Sequence, residues 1–338
     1  AGTAVVHLIF GSGLGIPSQG RIMAALRGAH LDVTRVEYPE LQPVGATVVR
    51  AYDSDGRRLL VKVYGRDAAN AAFAARAWRA AWYRGESNSV TASRLQLAEH
   101  EALAMLAFER GDVSAPRLVT ATRSSTDDVL VVSEWLDVTT LAAAGDAVDE
   151  PSLDELWDLL GRTHDAGFTH GSIDRYSVAL ADGHAVFTDV RSASFGTDAM
   201  AVATDRAQLL VATALCGGID TALDAAQRHL SSDDVAEMLP MLQTTILPRS
   251  LQLEVHALDL SIDDLRTGLG DRLGVEPPEL AQLRRVSWGS VAMVVLMLFA
   301  VYSLITALTE IGFDSVADQY ATAIWSSIAV AFILAQLT

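Results

Sequence analysis

Two short segments near the start of the chain alternate between apolar and polar positions. Residues 46–52 and 59–64 flank the turn sequence Asp-Ser-Asp-Gly at 53–56, and alternation around an Asp-Gly turn is typical of a β-hairpin. Side chains on a strand point to opposite faces in turn. The second strand therefore has two predicted faces, formed by Leu60, Lys62 and Tyr64 on one side and by Leu59, Val61 and Val63 on the other.

The pattern changes from strands to helices along the chain. A short helix is predicted from Ser18 to about Gly28, and a longer one from Ser93, a plausible N-cap, to Glu109. Strands are predicted at 116–121 and 129–135, a helix at 152–166, two short strands at 177–180 and 185–188, and helices over most of 200–268. Strands followed by helices predict an α+β fold with two lobes, assigned here to residues 17–136 and 137–268.

The C-terminal part contains two long apolar runs. Residues 287–308 are 22 consecutive residues without a charge, which is long enough for a helix to span a bilayer core of about 30 Å. We therefore predict a transmembrane helix at 287–309, and a second one at 319–338 that the end of the sequence cuts short. Arg284 and Arg285 precede the first run, so the positive-inside rule predicts a multi-pass protein of the cell membrane with residues 17–286 in the cytoplasm. Residues 269–286 form the expected linker.

The first 16 residues are apolar and carry no acidic or basic side chain other than His7. They are too short to span a membrane alone and lack the basic region of a signal peptide. Two interpretations stay open for them: the end of a preceding transmembrane helix, or a segment that packs on the soluble domain.

Composition narrows the class of partner. The formal net charge is −17 and the acidic residues are spread along the chain, which argues against a general nucleic-acid binder. The single cysteine, Cys216, excludes an intrachain disulfide, in keeping with a cytoplasmic location. Of the 25 basic residues, Lys62 is the only lysine. A lone lysine among arginines is a candidate for a role that requires a compact ammonium group.

The chemistry-bearing residues follow a recognisable order. Lys62 lies on a predicted strand and Glu101 on a predicted helix, followed by THGSIDRYS at 169–177 and FTDVRSAS at 187–194. In order and spacing, residues 40–260 resemble the protein kinase and aminoglycoside phosphotransferase superfamily. The resemblance implies a bilobal kinase-like fold that binds ATP or ADP with Mg²⁺.

The resemblance also implies a role for each matched residue. Lys62 would contact the α- and β-phosphates and pair with Glu101, and Asp189 would bind the metal ion. Glu134 and Leu136 would lie in the hinge that receives the adenine.

Several positions depart from that pattern. Ser172 stands where the superfamily has its catalytic aspartate, and Ser177 where it has a metal-binding asparagine. A serine hydroxyl does not accept a proton at neutral pH as a carboxylate does, and it is a poor magnesium ligand. Asp174 is the candidate substitute base. The expected glycine-rich loop, residues 44–48, has only Gly45, and Asp189 is followed by Val-Arg instead of Phe-Gly.

Each residue also has a structural explanation when it is taken alone. Lys62 is then a solvated strand lysine, Glu101 a helix-surface acid with Glu99 as an equal competitor, and Asp189 a turn former. His170 is expected to brace its loop and not to carry a proton. The combination of these residues with the His-Gly loop favours a kinase-like pocket.

A narrower resemblance covers most of the chain. LLVKVYGRDAANA, AEHEALAMLA and GVEPPELAQLRRVS are similar to actinobacterial membrane proteins in which a kinase-like domain precedes a flippase-like transmembrane region of the lysylphosphatidylglycerol synthase type. The resemblance implies contact with the lipid bilayer, handling of a lipid or lipid-linked envelope precursor, and a protein partner in envelope assembly or signalling.

Three hypotheses follow. The soluble region is a pseudokinase that senses nucleotide or docks a partner, an active atypical phosphotransferase that uses Asp174 or Asp189 as its base, or a structural spacer with a collapsed pocket. Nucleotide binding separates the first hypothesis from the third, and phosphoryl transfer separates the first from the second.

Overall fold

A computed structural model describes residues 18–39, 46–65, 93–124, 128–276, 279–281, 293, 295–303 and 306. The chain divides into two units, and the fold described here belongs to the first, Ala1–Ala80 with Arg84–Leu283. The predictions for residues 1–16 and 319–338 lie outside the described residues. Gly45, the one glycine of the expected glycine-rich loop, also lies outside the described residues.

The N-terminal part is built on a five-stranded antiparallel sheet. The elements of this part are α1 (Gln19–Gly28), β1 (Val33–Glu37), β2 (Thr47–Asp53), β3 (Arg58–Tyr64), α2 (Arg94–Arg110), β4 (Leu118–Arg123) and β5 (Val129–Glu134). The strand order in the sheet is β1-β2-β3-β5-β4. The hairpin predicted from the alternating pattern is confirmed as β2 and β3, and the strand β1 was not predicted.

The two faces of β3 have different partners, as the alternation predicts. Leu59, Val61 and Val63 are buried in a small apolar core that also contains Ile22 and Leu26 of α1. Lys62 and Tyr64 are buried on the opposite face and contact α2. The sheet thus separates an apolar layer from a layer that carries charged groups.

Helix α2 begins where the sequence predicts. The Ser93 hydroxyl accepts a hydrogen bond from the Gln96 backbone N–H at 3.2 Å, and the Gln96 side chain accepts one from the Ser93 N–H at 2.7 Å. This capping box satisfies two backbone donors that a helix start leaves without partners. It fixes the first turn of the helix that carries Glu101.

The C-terminal part is mainly helical and has two small antiparallel sheets. The elements of the C-terminal part are β6 (Thr139–Thr140), α3 (Leu141–Ala144), α4 (Glu150–Asp165), β7 (Phe168–Thr169), β8 (Val178–Ala181), β9 (His184–Phe187), β10 (Ser194–Phe195), α5 (Ala199–Gly217), α6 (Ile219–His229), α7 (Ser232–Met238), α8 (Arg249–Ala257) and α9 (Ile262–Leu273). One sheet pairs β10 with β7, and the other has the strand order β6-β8-β9.

Helix α5 lies in the core of this part. Among the described residues it is the one helix whose length and apolar composition would allow it to cross a membrane, and 67% of that apolar stretch is buried within the protein. Residues such as Leu210 and Val211 are fully buried in the larger apolar core. Burial of this kind is typical of a central helix in a folded domain.

The end of the helical part differs from the predicted domain boundary at residue 268. Helix α9 continues to Leu273, and its residue Leu269 is fully buried. Val275 also packs against the core. The helix thus extends five residues into the segment predicted as a linker at 269–286, with Leu269 and Gly270 buried.

Part of the predicted membrane span at 287–309 is described in the second unit. Residues 293, 295–303 and 306 are helical. Their large apolar side chains are exposed, including Met293, Leu296 and Phe299. Membrane insertion of this segment stays a prediction.

Candidate functional site

A buried ion pair joins the sheet to helix α2. The Lys62 Nζ donates a hydrogen bond to Oε1 of Glu101, and the Tyr64 hydroxyl donates one to Oε2 of the same carboxylate. Lys62 is 4% exposed and Glu101 is fully buried. Glu99, the competing acid on the helix, is exposed. The structure therefore pairs the only lysine of the chain with Glu101.

The same ammonium group reaches the helical part of the protein. Its Nζ lies 3.0 Å from Oδ1 of Asp189, 127 residues later in the chain. Asp189 follows β9 in the FTDV segment. Lys62, which the resemblance assigns to the phosphates, thus contacts both its predicted partner Glu101 and the predicted metal ligand Asp189.

Charge pairing dominates the protonation of this cluster. Burial disfavours the charged form of Lys62, but the carboxylates of Asp189 and Glu101 offset this effect and raise the pKa of Lys62 above its usual value. Burial likewise disfavours the charged form of Asp189, and the cations of Lys62 and Arg191 hold the pKa of Asp189 well below its usual range. Burial and the Glu101 charge raise the pKa of Tyr64. Lys62 and Asp189 are therefore both charged at neutral pH.

Asp189 has a second cationic partner that sequence reasoning missed. The Arg191 guanidinium contacts both carboxylate oxygens, with Nε 3.0 Å from Oδ1 and 2.8 Å from Oδ2, and with Nη2 2.6 Å from Oδ2. The side-chain exposures are 22% for Arg191 and 29% for Asp189. The available signal was the arginine at the second position after the aspartate, where the superfamily pattern has glycine.

A buried aspartate on α5 holds the loop that contains the His-Gly sequence. Asp205 is fully buried, and its oxygens accept hydrogen bonds from the backbone N–H groups of His170 at 2.7 Å and Gly171 at 2.8 Å. The Nε2 of the buried His170 bonds to the backbone oxygen of Asp189 at 2.7 Å. His170 thus braces the loop, as expected, and Asp205 was not predicted. The signal for Asp205 was an acid within an apolar helix.

Gly171 is required by the close approach of two loops. Its φ is +77°, a backbone conformation that favours glycine, and a Cβ at this position would lie 2.5 Å from the Ser192 carbonyl oxygen. The glycine therefore lets the His-Gly loop pack directly against the segment after Asp189.

The two serines lie in the loop that contains the His-Gly sequence, and their predicted correspondence to a base and a metal ligand stays a prediction. The Ser172 backbone N–H lies 3.4 Å from Nδ1 of His170. The Ser177 hydroxyl, in a residue that is 6% exposed, accepts a hydrogen bond from the Asp174 N–H at 2.8 Å and lies 3.1 Å from the Asp174 carbonyl oxygen. Ser177 is thus engaged within its own loop.

Asp174, the candidate substitute base, has hydrogen bonds to both carboxylate oxygens. Its Oδ1 accepts from the backbone N–H groups of Tyr176 at 2.9 Å and Ser177 at 2.8 Å, and its Oδ2 accepts from the Ser250 hydroxyl. A carboxylate held in this way shapes a turn and ties the loop to α8. These contacts argue against a role for Asp174 as a general base.

The predicted hinge residues lie at the end of the sheet. Glu134 is the last residue of β5 and is exposed, and Leu136 is half-buried two residues beyond it. The Glu134 backbone N–H bonds to the Arg117 carbonyl oxygen at 2.9 Å. Contact of Glu134 and Leu136 with an adenine stays a prediction.

Comparison with known proteins gives similarities at the level of structure. No family model matches the chain, and no curated protein matches it. The chain is similar to Rv3197 of Mycobacterium tuberculosis, solved in complex with erythromycin, with 15% identity, 76% of this chain and 83% of that chain covered, and a TM-score of 0.38. It is also similar to the PAN3 pseudokinase of Drosophila melanogaster, with 13% identity, 71% and 72% covered, and a TM-score of 0.38.

Proposed function

We propose that the first unit is a kinase-like module that binds a nucleotide and does not transfer its phosphoryl group. One observation carries the proposal. Lys62 contacts both Glu101 and Asp189, while Ser172 stands in the sequence where the kinase-like resemblance expects the catalytic base.

The charged cluster is better explained by binding than by stability. Burying an ion pair carries a large desolvation cost, and well-packed apolar residues often stabilise a fold as well or better. Here Lys62 and Glu101 are buried at the junction between the sheet and the helical part, and Asp189 belongs to the other side of that junction. Perturbed titratable groups clustered in this way are typical of functional sites. Lys62 and Arg191 provide the cations that a polyphosphate requires.

The loop that would carry out catalysis has no carboxylate available at the base position. A kinase-type transfer needs an aspartate to orient the acceptor hydroxyl and take its proton. Ser172 does not have this ability at neutral pH. Both oxygens of Asp174 accept hydrogen bonds from neighbouring groups. These contacts favour a pseudokinase over an active phosphotransferase.

Equilibrium dialysis of the purified chain with radiolabelled ATP tests both halves of this proposal. We expect saturable binding to the wild-type protein, weaker binding to Lys62→Ala, and recovery of the ligand as unchanged ATP. The matched control is Arg228→Ala, because Arg228 is exposed and pairs with Asp154 outside the cluster. This variant should bind ATP as the wild type does. Absence of binding favours a structural spacer, and Lys62-dependent release of ADP or phosphate favours an atypical phosphotransferase.

We further propose that this module is the cytoplasmic part of a multi-pass membrane protein, where it regulates the handling of a lipid or lipid-linked envelope precursor or recruits a protein partner. The uncharged run at 287–308 and the exposed apolar side chains of the described helical residues 295–303 support the membrane attachment.

Labelling of a single engineered cysteine tests the orientation. Cys216, the native cysteine, is buried, so it gives little background. Asp165→Cys introduces a thiol at an exposed position of the helical part. A maleimide that does not cross membranes should label this variant only after the cells are permeabilised. Equal labelling in intact cells would contradict the cytoplasmic location.

A further inference from the structure

The carboxylate of Asp189 is already coordinated by protein cations. Oδ1 accepts from Lys62 Nζ at 3.0 Å, from Arg191 Nε at 3.0 Å and from the Arg191 backbone N–H at 3.2 Å. Oδ2 accepts from Arg191 Nε at 2.8 Å and from Nη2 at 2.6 Å. The planar guanidinium matches the carboxylate geometry and forms one of the stronger kinds of ion pair. Both oxygens therefore have charged donors from the chain itself.

This arrangement does not fit a magnesium ion. Mg²⁺ demands a near-octahedral shell of oxygen ligands at about 2.0–2.1 Å and retains several water molecules. At Asp189 such a shell requires the Arg191 side chain to leave at least one of the two oxygens. The second metal position, Ser177, has its hydroxyl engaged in the loop and is 6% exposed. In the part of the chain that the structure describes, no group of three or more His, Cys, Asp or Glu residues is placed to hold a metal ion.

The charges of the cluster balance without a metal. Lys62 and Arg191 contribute two positive charges, and Glu101 and Asp189 contribute two negative ones. Without Arg191 the cluster would hold one excess negative charge beside Asp189, which is the condition that attracts a divalent cation. Arg191 thus neutralises the Asp189 charge that a metal ion would otherwise neutralise.

We propose that Arg191 takes the place of the metal ion at Asp189, so that a nucleoside di- or triphosphate binds as the free anion and not as its magnesium complex. The ligand class rests on the function proposed above. The exclusion of the metal rests on the geometry of Asp189 alone, so the two parts are testable separately.

Manganese binding, measured by electron paramagnetic resonance on the full chain without nucleotide, tests the exclusion of the metal. We expect no specific Mn²⁺ site in the wild type or in the control Arg35→Ala, which loses the same charge at an exposed pair with Glu37. Arg191→Ala should gain one site, and the double variant with Asp189→Asn should lose it again. Arg191→Gln, which is closer in size and keeps hydrogen-bond donors, repeats the test if the alanine variant does not fold.

Two results would overturn the exclusion of the metal. One is a Mn²⁺ site in the wild type that Asp189→Asn removes, which is measurable without any Arg191 variant. The other is failure of both Arg191 variants to gain a site. Either result shows that the guanidinium does not stand in for a cation.

Calorimetric titration with ADP tests the ligand part. For the wild type, the dissociation constants for ADP measured with Mg²⁺ and with EDTA should agree within about threefold. For Arg191→Ala, ADP should bind about tenfold or more tightly with Mg²⁺ than with EDTA. Wild-type binding that requires Mg²⁺ would overturn the inference. No ADP binding by any variant would contradict the proposed function, while the manganese result would still decide the role of Arg191.

Discussion

Replacement of Lys62 by methionine tests the energetics of the buried cluster. Glu101 is fully buried, and without Lys62 its hydrogen-bond partner among the described residues is the Tyr64 hydroxyl. Removing one partner of a buried ion pair costs about 3–5 kcal/mol, because the other charge remains buried without compensation. For a domain of this size, 1 kcal/mol corresponds to about 2–4 °C in the unfolding temperature. Lys62→Met should therefore lower the unfolding temperature by about 6–20 °C.

The structure also predicts an order among variants. Glu101→Gln removes the opposite charge, but Lys62 keeps its contact with Asp189 at 3.0 Å, so this variant should lose less stability than Lys62→Met. The double variant Lys62→Met/Glu101→Leu leaves no buried charge at this pair, and its main cost is the Tyr64 hydroxyl, about 1–3 kcal/mol. It should be more stable than Lys62→Met alone.

Thermal unfolding followed by near-ultraviolet circular dichroism measures all three variants. Arg228→Met, which breaks an exposed pair with Asp154, is the control and should change stability by less than about 1 kcal/mol. A Lys62→Met protein within about 1 kcal/mol of the wild type would refute the reasoning. So would a Glu101→Gln protein less stable than Lys62→Met.

Four further predictions concern the loops and the pH dependence. Gly171→Ala should destabilise the fold by about 1–3 kcal/mol, because the residue has a positive φ and a carbonyl oxygen lies close to the added Cβ. Gly161→Ala, at an open helical position, should instead stabilise the fold by about 1 kcal/mol, and thermal unfolding of the two variants measures both effects. Asp205→Asn keeps one oxygen acceptor but places its amide hydrogens against the other of the two backbone donors, which should cost about 1–3 kcal/mol and speed amide exchange in the His-Gly loop. Unchanged exchange would contradict the role of Asp205. The pKa of Asp189 lies below its unfolded value of 3.8, so its stabilisation is complete above about pH 4 and is lost as the pH falls further; the acid-side slope of stability should be smaller in Asp189→Asn. The pKa of Lys62 is raised above 10.5, so its stabilisation is complete below about pH 10 and is lost at higher pH, and a Lys62→Met protein should lack this alkaline loss.

Local pattern predicted much of the N-terminal part. The alternation around the Asp-Gly turn predicted both strands and the two faces of β3, because burial on each face follows the period of the strand. The strand β1 was missed, since its sequence VTRVE contains few apolar residues and its pairing with β2 is a tertiary contact. The choice between Glu99 and Glu101 depended on which side of α2 faces the sheet, and sequence alone left the two equal.

The charged contacts of the Lys62, Glu101 and Asp189 cluster were only partly predictable. Sequence order placed Lys62, Glu101 and Asp189 in one site, and the structure brings them together. The arginine at the second position after Asp189 is a visible departure from the superfamily pattern, but the sequence does not show that its guanidinium contacts the carboxylate. Asp205 was missed because a hydrogen bond to a loop 34 residues earlier leaves no local pattern.

The central claim is the proposal that the Lys62, Glu101 and Asp189 cluster belongs to a site that binds a nucleotide. Thermal unfolding of the purified chain at increasing ATP concentrations, with EDTA present, tests it most directly, because a ligand that binds only the native state raises the unfolding temperature. We predict a saturable rise in the wild type and in Arg228→Ala, and a smaller one in Lys62→Ala. An unfolding temperature that does not change with ATP in the wild type would contradict the claim.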